Sequence, residues 1–174
     1  MNFAEKNIIL EGEIKSGKSY ILNSVLKKLN IKYGGFLTYP YYLNERRLGF
    51  KLKDILTNEE SVIAIHNIDG SLIIFPDVFD DLGVRSLENG YKNCDLIVMD
   101  ELGFLEENSY KFKEKVIEIL NSNKRCFVVI KNKKNTFLKI VSDYGKVFKV
   151  NNENKEELIQ MILKEVNQWI FMKI

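Results

Sequence analysis

"GEIKSGKSY", residues 12–20, stands between the apolar run Asn7–Leu10 and a set of apolar residues at Ile21, Leu22, Val25, Leu26 and Leu29. Steps of three and four residues mark a helix with one buried face, and the short run before the glycines reads as a strand. The order is strand, loop, helix. Gly12, Gly17, Lys18 and Ser19 satisfy the pattern G-x-x-x-x-G-K-[ST], which arises by accident in about one chain in a hundred of this length. In that setting the loop's backbone N–H groups and the helix end converge on an anion. Gly12, Glu13, Ile14, Lys15, Ser16, Gly17, Lys18, Ser19 and Tyr20 are therefore candidates to hold a polyphosphate. Lys18 would reach its β and γ phosphates, and the Ser19 hydroxyl would ligate Mg²⁺.

Working outward, residues 33–39 (YGGFLTY) and 48–56 (LGFKLKDIL) are aromatic and β-branched runs, with a turn expected in "PYYLNERR" from Pro40 and Asn44. "SVIAIH" and "SLIIF" flank "NIDG", whose Asp69-Gly70 is a common hairpin dipeptide. Residues 33–75 thus read as antiparallel strands and hairpins inserted after the first helix. Helix and strand alternate beyond them. "VRSLENGYKN" (84–93) reads as a helix, "DLIVMD" (95–100) as a buried strand, and 108–121 as a helix facing inward through Phe112, Val116, Ile119 and Leu120. "CFVVI" (126–130) is another buried strand, 137–144 a short helix and "KVFKV" (146–150) a last strand. A closing helix from about Lys155 carries the stripe Leu158, Ile159, Ile162, Leu163, Val166 and Trp169. Near-continuous apolar strands between amphipathic helices indicate an α/β fold with a mostly parallel sheet covered on both faces.

The 174 residues fit one domain, 1–174, large enough to bury a core without a metal or disulfide staple. Against 26 Lys and Arg stand 24 Asp and Glu. A formal charge of +2 does not indicate a nucleic-acid partner. Cys94 and Cys126 lack metal or redox spacing and read as reduced core residues. His66 is the single histidine, which leaves no histidine-rich metal site to build, and it reads as structural. No run approaches the length of a spanning helix and the amino terminus lacks a secretory core, so a cytoplasmic protein without membrane association is expected, a monomer in preference to an oligomer.

A polyphosphate loop needs a partner that secures the metal and places water. "DLIVMDE" has the right form, an apolar strand ending in Asp100, suited to the Mg²⁺ shell, with Glu101 next to it, placed to orient or deprotonate water. Hydrolysis of a nucleoside triphosphate such as ATP or GTP is favoured over transfer. A kinase acting on a nucleoside, nucleotide or polynucleotide end, or a nucleotide-binding switch with little turnover, are the alternatives. No arginine-rich lid segment that would exclude water for a kinase is evident.

These segments together resemble the small P-loop nucleoside-triphosphatases of the thermophile and cancer-related type. The resemblance is carried by Gly12–Ser19, by Gly35-Phe36-Leu37-Thr38, by Arg47-Leu48-Gly49-Phe50, and by Asp100-Glu101-Leu102-Gly103-Phe104-Leu105-Glu106 followed by Ser109. A late Asn-Arg-Asp motif of the family is similar to Asn154-Lys155-Glu156. The resemblance implies slow Mg²⁺-dependent hydrolysis of nucleoside triphosphates with loose base preference, and a P-loop NTPase fold with the hairpin region beside the nucleotide. This chain departs from the family at Tyr20, where a second threonine is usual, and at Ile14-Lys15, where Pro-Gly is usual. "YPYY" replaces a segment that often carries an arginine, and Tyr39, Tyr41 and Tyr42 read as sheet packing.

Phosphoryl transfer wants a cation beyond Lys18. Arg46 and Arg47 in the hairpin connection are the candidates, each equally readable as part of a solvated turn, and the resemblance favours Arg47. Lys15 adds positive potential within the loop, and Glu106 reads as an anchor. "NKKN" (132–135) comes near the Asn-Lys-x-Asp element that reads guanine, but asparagine in the fourth place presents a donor where two donors must be accepted. A solvated basic loop is the better reading there.

Overall fold

A computed structural model describes residues 6–131 and 135–171 of the chain. The elements run β1 (Ile8–Gly12), α1 (Lys18–Leu26), β2 (Tyr33–Leu43), β3 (Arg46–Asp54), β4 (Glu60–His66), β5 (Leu72–Ile74), α2 (Pro76–Val78), α3 (Val84–Asn93), β6 (Leu96–Leu102), α4 (Tyr110–Asn121), β7 (Arg125–Lys131), α5 (Thr136–Ser142), β8 (Lys146–Val150) and α6 (Lys155–Phe171). A π-helical turn, Phe79–Gly83, joins α2 to α3. The side chain of Trp169 lies outside the described residues.

The eight strands among the described residues form one sheet in the order β5-β4-β3-β2-β6-β7-β1-β8. Strands β2, β6, β7, β1 and β8 pair in parallel, and β3, β4 and β5 continue from β2 antiparallel. The hairpins are therefore an extension of the central sheet. Along β1 the side chains alternate between faces, so Ile8 and Leu10 meet one helical layer and Ile9 the other. α1 and α6 cover the first face through Ile21, Leu22, Val25, Ile159, Ile162 and Val166. The second face carries α3, α4 and α5, with Leu87, Phe112, Val116 and Leu138 in the core. Burial on both faces is why these strands read as unbroken apolar runs. No described helix is long and apolar enough to cross a membrane.

Two segments differ from the sequence reading. β2 runs straight through Pro40, which pairs with Phe50, and the turn is reduced to Asn44-Glu45. Both turn residues have positive φ, 48° and 64°, as a tight two-residue hairpin loop requires. Pro40 is tolerated because β2 pairs with β6 only over Tyr33–Phe36, which leaves one edge open beyond that point. The segment 76–83 is helical ahead of the expected helix. Pro76 opens it, and Asp80 accepts a hydrogen bond from the Phe112 N–H of α4 at 2.9 Å.

Gly35 explains one of the family-like segments. Its φ is +107°, and a Cβ there would stand 2.1 Å from the Val98 carbonyl oxygen. Only glycine lets β2 approach β6 this closely. That approach carries Thr38 to the end of β6, where its backbone hydrogen-bonds the Asp100 carboxylate.

Candidate active site

Gly12 ends β1 between two neighbours, level with Lys131 of β7 on one side and Val150 of β8 on the other. The chain then turns through Lys15 (φ 66°) and Gly17 (φ 103°) into α1. A Cβ on Gly17 would meet the Lys155 Cδ at 2.5 Å, so both conformation and space require glycine. The Lys18 ammonium donates to the carbonyls of Gly12 at 2.6 Å and Glu13 at 2.7 Å, which clamps the loop around it. Among the described residues no side chain caps α1, and its first turn has no acid. Its leading N–H groups and the positive end of its dipole are left for an anion.

The acids arrive by a bulge. Met99 pairs with Val128 and Leu102 with Ile130, so Asp100 and Glu101 together oppose the single residue Val129. Glu101 takes φ 64°, a strained conformation for a residue with a side chain. A bulge of this kind re-aims side chains at the end of a strand. Asp100 is 5% exposed, and its carboxyl is pushed up to about 7, first by burial and then by the neighbouring Glu101 charge. The Thr38 backbone, Lys18 and Lys131 act in the opposite direction. Burial lowers the Lys18 ammonium, while Glu101 and Asp100 raise it and Lys131 lowers it. Lys131 stands 3.5 Å from the Glu101 carboxylate. Two lysines and two acids thus share one desolvated corner at the carboxyl edge of β1, β7 and β6, where open α/β sheets place their ligands.

Asp100 Oδ1 is buried without a hydrogen-bond partner among the described residues. An orphaned carboxylate oxygen beside the loop fits a cation, since a buried polar atom of this kind is costly unless something satisfies it. No cluster of three or more His, Cys, Asp or Glu suited to a metal occurs among the described residues. A site with Asp100 and the Ser19 hydroxyl as its protein oxygens suits Mg²⁺, which is usually held by one or two side chains plus phosphate oxygens and water.

The remaining candidates divide by position. Arg46 and Arg47 are exposed on the hairpin. The Arg47 guanidinium lies 4.4 Å from the Phe50 ring centroid, and the Lys131 ammonium lies 5.3 Å from the same ring. Arg47 is thus one aromatic ring away from Lys131. Tyr20 is exposed and donates to Glu156 at 2.8 Å, tying α1 to the start of α6. Asn154-Lys155-Glu156 closes back on the loop through that bond and through the Lys155 stem against Gly17. Glu106 is 1% exposed and accepts from the Gly103 N–H at 2.5 Å, which fits an anchor for the segment after β6. Ser109 Oγ donates to the Pro76 carbonyl at 3.3 Å. Tyr39 bonds Glu60, and Tyr41 lies under Lys51 at 4.9 Å, so both pack on the sheet, whereas Tyr42 is exposed.

Of "NKKN", residues 132–134 lie outside the described residues. Asn135 caps α5 by accepting from Leu138 N at 2.7 Å, and it donates to the Gly103 carbonyl at 3.0 Å. The sequence reading missed Lys131. It ended the strand at Ile130, although a lysine closing an apolar strand of a parallel sheet falls at the edge where the loop and acids gather. Free Cys94 and Cys126 are buried, as expected.

A family model described as NTPase matches residues 7–163. Nucleoside-triphosphatase THEP1 of Methanocaldococcus jannaschii is 34% identical over 147 residues, covering 81% of this chain and 84% of that protein. Nucleoside-triphosphatase THEP1 of Thermotoga maritima is 31% identical over 163 residues, covering 90% and 92%. The crystal structure of THEP1 from Aquifex aeolicus superposes with a TM-score of 0.77 at 22% identity, covering 91% of this chain and 97% of that one. The solution structure of a human cancer-related nucleoside triphosphatase gives 0.76 at 22% identity, covering 94% and 98%. At that identity the two structures establish the shared fold.

Proposed function

The chain belongs to the NTPase family and is a nucleoside-triphosphatase, and from that premise we propose Mg²⁺-dependent hydrolysis of nucleoside 5′-triphosphates to diphosphate and phosphate with little regard for the base. The observation that carries this reading is the meeting of Lys18, Asp100 and Glu101 at one sheet edge. Lys18, oriented by two loop carbonyls, binds the β and γ oxygens together with the N–H groups of the loop and α1. Glu101 accepts a proton from water as the water oxygen bonds to the γ phosphorus. The bond from that phosphorus to the bridging oxygen breaks, and its electron pair leaves with the diphosphate. Ser19 and Asp100 would hold Mg²⁺, which when bound supplies charge neutralisation across the β and γ oxygens. Arg47 adds positive potential from its place over Phe50.

Loose base preference is supported by Asn135, whose amide is spent on Leu138 and Gly103. The test is phosphate release from ATP, GTP, CTP and UTP, with Mg²⁺ and with chelator, alongside Glu101→Gln. Comparable rates, dependence on Mg²⁺ and a loss of about a hundredfold or more in Glu101→Gln are expected. Rates unaffected by chelator would remove the metal from the reaction. A preference above about a hundredfold for one base would overturn the loose specificity.

A further inference from the structure

We infer that Lys131 is a positioning residue for hydrolysis, a buried ammonium that fixes the Glu101 carboxylate beside the phosphate loop. The inference rests on the reading of Glu101 as the group that takes the proton from water.

The Lys131 side chain is 8% exposed, and its ammonium lies 5.3 Å and 5.4 Å from the ring centroids of Phe50 and Phe104. Its stem runs along Gly103, where a Cβ would stand 2.9 Å from the Lys131 Cδ. An apolar side chain of the same length would fill this space without the cost of burying a charge. What lysine adds is the ammonium, and the ammonium is spent on Glu101 at 3.5 Å. Glu101 needs such a tether. It stands on a bulge at positive φ, its side chain is 25% exposed, and a glutamate with free torsions does not hold a water in line.

The tether has a rigid base. Lys131 pairs in register with Gly12, the last residue before the loop, so the strand that carries the cradle and the strand that carries the acids are joined through β7. The other charged groups that face it are Lys18, Asp100 and Glu106. Lys131 thereby supplies the second ammonium group beside Asp100 and Glu101. The hairpin arginines are exposed; the second buried cation of this corner is this lysine.

The experiment compares Lys131→Met, which keeps the stem, with Lys131→Arg, which keeps the charge, in the full chain and with ATP. kcat for Lys131→Met is expected to fall about thirtyfold with KM within about threefold, and Lys131→Arg to recover to within about fivefold of the parent. In a Glu101→Gln background, Lys131→Met should change the residual single-turnover rate by less than about twofold, because a tether without its carboxylate has nothing left to place. The Lys131→Met unfolding midpoint should equal or exceed the parent's. Lys131→Gln serves the same comparison should the methionine variant fail to fold. An unchanged kcat, an arginine variant no better than methionine, or the same loss in both backgrounds would overturn the inference. A Glu101→Gln variant at full rate would overturn it as well, whereas a parent protein that releases no phosphate strikes at the hydrolase reading.

Discussion

Two groups of charged side chains in this molecule obey different physics. On the surface, Arg85 of α3 binds Glu59 at 2.8 Å and Asp81 at 3.0 Å, with all three side chains at least 43% exposed. Hydrogen bonds from Arg85 hold both carboxyls below their usual range, and the group is satisfied within itself. At the sheet edge, Lys18, Lys131, Asp100 and Glu101 are drawn together out of water. There burial pushes Asp100 up to about 7 and leaves one of its oxygens unpartnered. The surface group is paired within itself and stays in water. The buried one keeps a carboxylate oxygen unpartnered, which separates it from the self-paired surface group.

The sharpest way to break this contrast is Lys18→Ala. Removing the loop ammonium is expected to cut phosphate release about a thousandfold with the fold intact by circular dichroism. A rate within tenfold of the parent would place the essential cation elsewhere. Next, Asp100→Asn should raise the Mg²⁺ concentration for half-maximal rate by about tenfold or more, read by titration at saturating nucleotide. An unmoved midpoint would take Asp100 out of the metal shell.

Glu106 gives a smaller effect on stability. Burial pushes its carboxyl up to about 7 from 4.5. Between those values the folded chain keeps a proton that the unfolded chain has lost, so stability falls as pH rises through this window and is lowest above it. Glu106→Gln keeps the acceptor for Gly103 and removes the titration. It should stabilise the metal-free protein by about 1–3 kcal/mol at pH 8 and by little at pH 4, measured by denaturant unfolding. Equal effects at both pH values would rule out titration of Glu106 as the cause. The smallest change belongs to the surface. Arg85→Ala should leave phosphate release unaltered and move the unfolding midpoint by under about 2 °C, less in high salt. A larger shift would mean that the exposed group carries more of the fold than its solvation allows.

Much of this was legible in residue order. The loop was, because its chemistry is local. The Lys18 ammonium bonds the carbonyls of Gly12 and Glu13, six and five residues away, and there spacing along the chain is spacing in space. The helices and buried strands followed from periodicity, and the pairing of Asp100 with the loop followed from an apolar strand that stops at an acid. Pro40 misled because local turn preference is weaker than eight residues of pairing with β3. Lys131 was passed over because hydropathy assigns lysine to the surface, and nothing in its neighbours along the chain announces a carboxylate from β6.

By itself the sequence determined the strand-loop-helix around Gly12–Ser19, the alternation that makes a parallel sheet, and the identity of the acids. Only the tertiary structure decided that the hairpins prolong that same sheet, that a bulge turns Glu101 toward the loop, and that Lys131 lies buried against it. The reason is range. Backbone conformation and amphipathic period are written within a few residues, whereas desolvation and charge pairing depend on groups that meet only when β1, β6 and β7 are brought side by side.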